Sequence, residues 1–399
     1  MKTLMPNTPD QVQEAVRWAF ETATPLDLQG LGTKSGLGRP GSADHMLCLS
    51  GLSGVTLYEP EELVMKAMAG TPLAEIEMAL EEKGQRLAFE PPNLAGLFGS
   101  NSSGTIGGIF ASNLSGPRRV WSGAARDHIL GVSLINGRGE LVKSGGRVVK
   151  NVTGFDLSKL LAGSYGTLGA LTEVAFKVLP KGERERTVLL RGVGIGEAEE
   201  VLNLAMRGPF ELSGAAYLPA SIAACVGHSR SLIALRFEGP EPSVDAKGRA
   251  LRCLLGAFGE VRSIDQDESG DFWRAIRDVA VFANDRDKQI WRLSVPPANA
   301  AAVIGRLPDE LKAEWFLDRA GGLIWLAMPP RRHAGQELVR AAIGQGGGHA
   351  TLIRAAEEVR STIDVFHPQP KPVAALSKRI KAAFDPSFIL SPGRMSGEV

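Results

Sequence analysis

The sequence predicts a two-part α+β protein, with a glycine-rich first part of about 180 residues and a second part built from strand–helix–strand units. Three observations predict it. The 399 residues exceed what one hydrophobic core ordinarily organises. The 47 glycines, against a usual share of about 7%, cluster in loops between periodic segments. Finally, Pro180-Lys181-Gly182-Glu183-Arg184 is a charged break after a strand, and the rhythm of the chain changes beyond it.

In the first part, Thr8-Pro9-Asp10-Gln11 combines a hydroxyl cap, proline at the first helical position and glutamine at the box position. Val12, Ala15, Val16, Ala19 and Phe20 then recur at helical spacing. Strands are expected at Pro25–Gln29, Met46–Leu49 and Val55–Tyr58. Thr71 and Pro72 open a second helix that turns Leu73, Ile76 and Leu80 inward and stops at Gly84. Phe89-Glu90-Pro91-Pro92 starts a long uncharged loop. Gly131–Ile135 and Glu140–Lys143 flank Asn136-Gly137-Arg138-Gly139, a hairpin signal. Lys150–Leu161 reads as a short loop and helix. In the strand that follows, Thr172, Val174, Phe176 and Val178 share one face.

Past the break, strand–helix–strand units are expected at roughly 187–218, 231–264 and 289–328, forming a sheet with helices on one face. Lys371–Val399 is a helix followed by an apolar tail, Ile389-Leu390-Ser391-Pro392-Gly393-Arg394. The two halves of the chain show no internal repeat. Trp273, Trp291, Trp315 and Trp325 fall in strand or helix patterns and read as core.

Composition excludes several classes. The 45 basic and 44 acidic residues nearly cancel, and pairs such as Arg118-Arg119 and Arg331-Arg332 read as solvated surface, so no nucleic-acid partner is expected. Cys48, Cys225 and Cys253 are too widely spaced for zinc or iron–sulfur ligation; no metal is expected, and three scattered thiols fit a reducing, cytoplasmic setting. The uncharged stretch Pro91–Pro117 is long enough to cross a bilayer. Its six glycines, five serines and three asparagines would leave too many polar groups unsatisfied there. Wrapped around a polar ligand, they are satisfied.

The glycine loops supply the ligand. Gly30-Leu31-Gly32-Thr33-Lys34-Ser35-Gly36 lacks the third glycine of the dinucleotide fingerprint and the glycine that precedes lysine in a P-loop. Its consecutive backbone N–H groups can still form a nest for phosphate oxygens, aided by Thr33, Ser35 and the Lys34 ammonium. Ser102-Ser103-Gly104-Thr105-Ile106-Gly107-Gly108 repeats that equipment. Two nests with an uncharged stretch between them suit a ligand with two phosphates and flat apolar rings.

These loops, with Ala111-Ser112-Asn113-Leu114-Ser115-Gly116, Lys150-Asn151-Val152-Thr153-Gly154-Phe155-Asp156-Leu157 and Gly163-Ser164-Tyr165-Gly166-Thr167-Leu168-Gly169, make five blocks over about 150 residues. In order and content they resemble the FAD-binding domain of the vanillyl-alcohol oxidase (PCMH-type) superfamily, and within it the FAD-binding subunits of bacterial glycolate-oxidising complexes. The resemblance implies a PCMH-type FAD-binding domain at 1–180 in two α/β subdomains, about 1–50 and 51–180. It further implies an α+β cap domain with an antiparallel sheet at 181–368 and a returning C-terminal segment at 369–399. By position, Gly30, Gly32, Thr33, Lys34 and Ser35 would cradle the diphosphate, with Pro92, Ser103, Gly104, Thr105, Ile106, Gly107 and Gly108 completing the grip. Asn113 and Gly116 would lie beside the flavin, and Gly166, Thr167 and Leu168 further along it. Ser391 stands where the family has asparagine. Many relatives attach FAD through a histidine in the first loop; none of the six histidines lies there, so non-covalent FAD is expected.

Oxidation of a 2-hydroxy acid beside a flavin needs a cation for the carboxylate and a base near the hydroxyl. The larger hydroxy-acid dehydrogenases of the superfamily share a metal-binding His-x-Gly-Asp-Gly-Asn-x-His run, which this sequence lacks. The candidate catalytic residues are His349, after three glycines, and Arg354; His367 is a weaker candidate. The resemblance implies a subunit that passes electrons between a sister FAD-containing catalytic subunit and an iron–sulfur subunit during glycolate oxidation. Such a complex would be cytoplasmic, peripheral at the inner face of the cytoplasmic membrane where electrons end in quinone. A self-sufficient FAD-dependent 2-hydroxy-acid dehydrogenase and a scaffold subunit without flavin are the alternatives.

Overall fold

A computed structural model describes residues 2–146 and 155–397. The Lys150–Gly154 portion of the fourth block lies outside the described residues. The chain opens with a small parallel sheet in which His45–Cys48 lies between Lys2–Leu4 and Leu26–Gln29. Helix Pro9–Glu21 covers it because Val12, Val16 and Ala19 fall on one stripe and are fully buried. Thr8 caps that helix, its hydroxyl accepting from the Gln11 N–H.

A five-stranded antiparallel sheet follows, in the order Val55–Glu59, Val64–Met68, Ala170–Lys177, Ile129–Ile135 and Leu141–Gly145. Helix Leu73–Glu81 and helix Ile106–Ser112 bury Leu73, Ile76, Leu80, Ile106, Ile109 and Phe110 in the same core as Met65, Val174 and Phe176. Several features depart from the sequence expectation, among them strand Lys2–Leu4 and the short helices Arg119–Ser122 and Ala125–His128. Strand Val64–Met68 is an additional strand, and the uncharged loop contains helices at Ala95–Phe98 and Ile106–Ser112. Paired glycines at 107 and 108 have low intrinsic helix propensity; tertiary burial of Ile106, Ile109 and Phe110 overrides it.

The second part holds an eight-stranded antiparallel sheet. Its strand order reveals two βαββαβ units placed edge to edge. The first is Arg184–Arg191, helix Ile195–Arg207, Gly214–Leu218, Leu232–Gly239, helix Glu241–Leu255 and Glu260–Ile264. The second runs Gln289–Ser294, helix Ala300–Gly305, Glu314–Asp318, Leu323–Met328, helix Gln336–Ile343 and His349–Arg354. They join where Tyr217 faces Leu317. There are thus four strand–helix–strand passages rather than three, and the repeat lies within the second part. The fourth was hidden because Leu323–Met328 is apolar at every position, with no alternation to read.

That pattern has a physical cause: both faces of the sheet are covered. Four helices pack on one face, with Val201, Leu251, Val303 and Val339 against Leu190, Leu235, Leu293 and Leu326. On the other, Leu189, Ala234, Phe316 and Trp325 meet helix Gln266–Arg277 and Leu37, Leu94, Leu97 and Leu114 of the first part. Trp273, Trp291 and Trp325 are buried in these cores, and Trp315 is half-buried against one of them. After helix Lys371–Phe384 the chain returns to the small sheet, with Leu390 bridged to Leu26 in parallel. The Ser391 N–H donates to the Leu26 carbonyl at 2.7 Å.

Candidate functional site

A cleft opens between the small parallel sheet and the five-stranded sheet, and the glycine loops line it. The first loop leaves strand Leu26–Gln29 and turns through Gly32 at φ +69°, a conformation that glycine adopts without strain. A Cβ at Gly30 would lie 2.6 Å from the Thr105 hydroxyl oxygen, so the two loops meet only because residue 30 has no side chain. Thr105 caps helix Ile106–Ser112, its hydroxyl accepting from the Gly108 N–H at 3.2 Å.

Lys34 is the charged residue of this cleft from the first loop. Its ammonium donates at 3.4 Å to the Thr33 hydroxyl and to the Ser103 carbonyl, and no carboxylate among the described residues pairs with it. Burial pushes it down to about 8. A desolvated cation beside two sets of glycine N–H groups is suited to a phosphate or diphosphate. Leu28, Leu31, Leu49, Ala69 and Leu171 add an apolar lining suited to flat rings. The donor set therefore fits FAD.

Of the residues that the sequence nominated, the cleft brings together Gly30, Gly32, Thr33, Lys34, Ser35, Thr105, Gly107, Gly108 and Gly166. Ser103 and Gly104 stand behind Lys34; a Cβ on Gly104 would come within 2.5 Å of its ammonium. Gly107 has a packing role as well, since a Cβ there would lie 2.6 Å from the Ala69 carbonyl oxygen. Pro92, Ile106, Asn113, Gly116, Thr167 and Leu168 do not line the cleft. Ile106 and Leu168 are core, and Pro92 is buried. Asn113 ends its helix at φ +51° with its side-chain oxygen accepting from the Arg126 N–H. Gly116 lets its loop pass the Glu90 carbonyl, which a Cβ would approach to 2.3 Å. The Thr167 hydroxyl donates to Ser164, and its carbonyl accepts from Lys381 at 2.7 Å.

Arg394 and Tyr165 line the cleft without having been nominated. Arg394 comes from the returning segment and supports the first loop from below, donating to the carbonyls of Ser35 at 3.2 Å and Leu37 at 3.3 Å while its other nitrogen faces Asp27. The Pro-Gly-Arg tail was the available signal for it. Ser391 occupies a left-handed conformation, φ +42°, which among non-glycine residues asparagine adopts most readily. Its hydroxyl accepts from the Leu28 N–H at 3.2 Å.

His349 and Arg354 lie at opposite ends of the last cap strand and outside the cleft. Arg354 is buried and donates to the carbonyls of Leu97 at 2.9 Å, Lys288 at 3.0 Å, Phe282 and Asp285, tying the cap to the first part. The His349 imidazole is held below its ordinary value by burial, then by Arg292, His367 and Arg119. No group of His, Cys, Asp and Glu among the described residues could hold a metal ion. No helix among them is long and apolar enough to cross a membrane.

The family model for the FAD binding domain matches residues 2–145. The chain is 35% identical to the glycolate oxidase subunit GlcE of Escherichia coli over 97% of both chains. It is 24% identical to the glycolate oxidase subunit GlcD of Bacillus subtilis, over 98% of this chain and 88% of that one. Among solved structures, p-cresol methylhydroxylase superposes with a TM-score of 0.74 at 15% identity, covering all of this chain and 89% of its own. That likeness is one of fold.

Proposed function

The chain belongs to the FAD-binding family that includes the glycolate oxidase subunit GlcE, and from that premise we propose that it is the FAD-carrying subunit of a multi-subunit glycolate oxidase. The observation that supports FAD binding most directly is Lys34, a largely desolvated ammonium with no carboxylate partner among the described residues, set where the two glycine loops touch. In this reading Gly30 to Ser35, Thr105 and Gly108 hold the diphosphate, Lys34 neutralises it, and Arg394 fixes the loop from beneath. The cofactor is bound without a covalent link. When bound, FAD supplies the two-electron oxidation of a carbon–hydrogen bond next to a hydroxyl. The protein's share is to bind, orient and exclude water from the reacting carbon.

The finer reading is that this subunit works with a sister FAD-containing catalytic subunit and an iron–sulfur subunit. In this reading the complex works in the cytoplasm, attached peripherally to the inner face of the cytoplasmic membrane through those partners. An absorption spectrum of the purified chain tests the first claim, and a spectrum without flavin bands would leave only a scaffold role. Glycolate addition tests the second. Bleaching that requires the sister subunit supports the relay, whereas bleaching of the isolated chain supports a self-sufficient dehydrogenase.

A further inference from the structure

Helix Lys371–Phe384 packs against the protein at one end only. Val373, Leu376, Ile380 and Phe384 recur at three- and four-residue spacing and so form one stripe. Ile380 and Phe384 pack against the core of the five-stranded sheet. The other end of the stripe is open: every residue from 371 to 379 is exposed, with Val373 at 46% and Leu376 at 48%. Helices draw most of their stability from burying such a stripe, and so short a stretch is marginal in water by itself.

The overhang is nevertheless held firmly. Lys381 donates to the Thr167 carbonyl at 2.7 Å and the Leu390 carbonyl at 2.9 Å, and pairs with Asp385. At the other end the Ser377 hydroxyl donates to the Gln369 side-chain oxygen at 3.0 Å, fastening the entering chain to the helix. An element fixed before binding loses little freedom when a partner takes it. Its position also matters. Phe366 packs edge-on against Tyr165 with centroids 5.0 Å apart, and Tyr165 lines the cofactor cleft. The chain from Phe366 to Pro370, where the helix is capped, reaches at most about 14 Å. The overhang therefore begins close to that cleft.

Charge narrows what covers it. The helix holds no acidic residue, and Lys371, Lys378 and Arg379 are exposed with no hydrogen bond or ion pair among the described residues. At about 100° per residue, Arg379 borders the stripe a quarter turn away, while Lys371 and Lys378 stand nearly opposite it. A second copy would bring these cations toward each other, which repels. On a lipid surface the helix would lie stripe-down, with two of its cations turned from the headgroups and two half-exposed side chains as its whole apolar face. A protein groove with an apolar floor and an acidic rim takes the stripe, pairs with Arg379 and attracts the lysines at longer range. We propose that residues 371–379 are a docking peg for such a groove. On the functional reading above, on which this depends, the partner is another subunit of the glycolate oxidase, and the peg seats it near the FAD cleft.

The test uses the full-length chain purified with its flavin, titrated against the sister FAD-containing and iron–sulfur subunits purified together. Leu376→Asp and Arg379→Glu should each weaken assembly at least tenfold. Lys378→Glu should mainly slow association and flatten its salt dependence. Flavin content and thermal midpoint of the isolated chain should stay unchanged in all three, because these side chains are exposed. Assembly at wild-type affinity by both Leu376→Asp and Arg379→Glu overturns the peg. Weaker assembly that comes with lost flavin or a lowered midpoint also overturns it, by giving the helix a structural role. If Leu376→Asp does not fold, Val373→Asp and Arg379→Glu decide by the same measure. Dimerisation of the wild type that Leu376→Asp abolishes assigns the helix to a second copy instead, and binding to phosphatidylglycerol vesicles that Leu376→Asp abolishes assigns it to lipid; either result overturns the protein groove. A wild-type chain that forms no complex with those subunits refutes the multi-subunit reading and the peg with it, whereas loss of effect in the variants refutes the peg alone.

Discussion

Glu90 and Arg236, 146 residues apart, form a two-pronged ion pair that joins the FAD-binding part to the cap sheet, with nitrogen–oxygen distances of 3.0 and 2.8 Å. The Arg118 N–H adds a third bond to the same carboxylate at 3.0 Å, and the Arg236 guanidinium lies 4.6 Å above the Trp273 ring. Glu238 and Glu185 balance Arg118. This network fixes how the sheet sits over the glycine loops, since Gly116 passes directly against the Glu90 carbonyl.

Glu90→Gln should therefore destabilise the protein by about 3–5 kcal/mol, because it removes the two-pronged partner of the buried Arg236 charge and leaves it only the longer contact to Glu238 at 3.8 Å. Urea unfolding of the variant measures this. A double variant with Arg236→Met should recover part of the loss, since no buried charge is then stranded; a loss below about 1 kcal/mol in the single variant would contradict the pairing.

The same carboxylate predicts an acid transition. Burial alone would raise Glu90, but Arg236 and Arg118 outweigh it and hold the group at about 2, against an ordinary value of 4.5. A carboxylate depressed by folding contributes its stability above its unfolded value and loses it as the pH falls toward the folded one. The urea midpoint should thus drop between pH 4.5 and about 2, and Glu90→Gln should lack this component.

Lys34→Met should weaken FAD retention by roughly 10- to 100-fold, the scale of a lost charge-assisted hydrogen bond. Flavin content after gel filtration and FAD titration of the apoprotein measure it. Since burial lowers Lys34 to about 8, wild-type apoprotein should take up FAD less well as the pH rises through that value. The variant should be flat there. Equal flavin retention would move the diphosphate elsewhere.

Gly107 and Gly108 should separate packing from binding. Gly107→Ala drives a methyl group against the Ala69 backbone and should cost about 1–3 kcal/mol of stability, read by thermal unfolding. At Gly108 the nearest atoms are the Thr105 hydroxyl at 3.3 Å and the Lys34 side chain near 4 Å. Gly108→Glu should therefore abolish FAD binding, through repulsion of phosphate, with a smaller effect on folding.

Lys381→Met should release the returning segment. The buried ammonium donates to the Thr167 and Leu390 carbonyls and pairs with Asp385, which is fully buried. Stranding that carboxylate should cost about 3–5 kcal/mol. Limited proteolysis should then cut near the C-terminus, and Lys381→Met with Asp385→Asn should restore part of the protection.

The sequence by itself determined the local part of this protein. The glycine loops, the Thr8-capped first helix and the hairpin around Asn136-Gly137 rest on short-range rules of φ, spacing and capping. Its Gly30–Ser35 stretch enters the cleft as one unit because consecutive residues cannot be far apart. Only the tertiary structure decided what depends on residues distant in the chain. The fourth strand–helix–strand passage was masked because a sheet covered on both faces shows no alternation. Arg354, read from the sequence as a candidate catalytic cation, meets carbonyls from Leu97 and Lys288, while the side chain of Arg292 has no hydrogen-bond or ion-pair partner among the described residues. Nothing in a sequence distinguishes two such arginines, for their charge is the same and only the folded chain assigns partners. The binding of Arg394 beneath the first loop across more than 350 residues has the same origin.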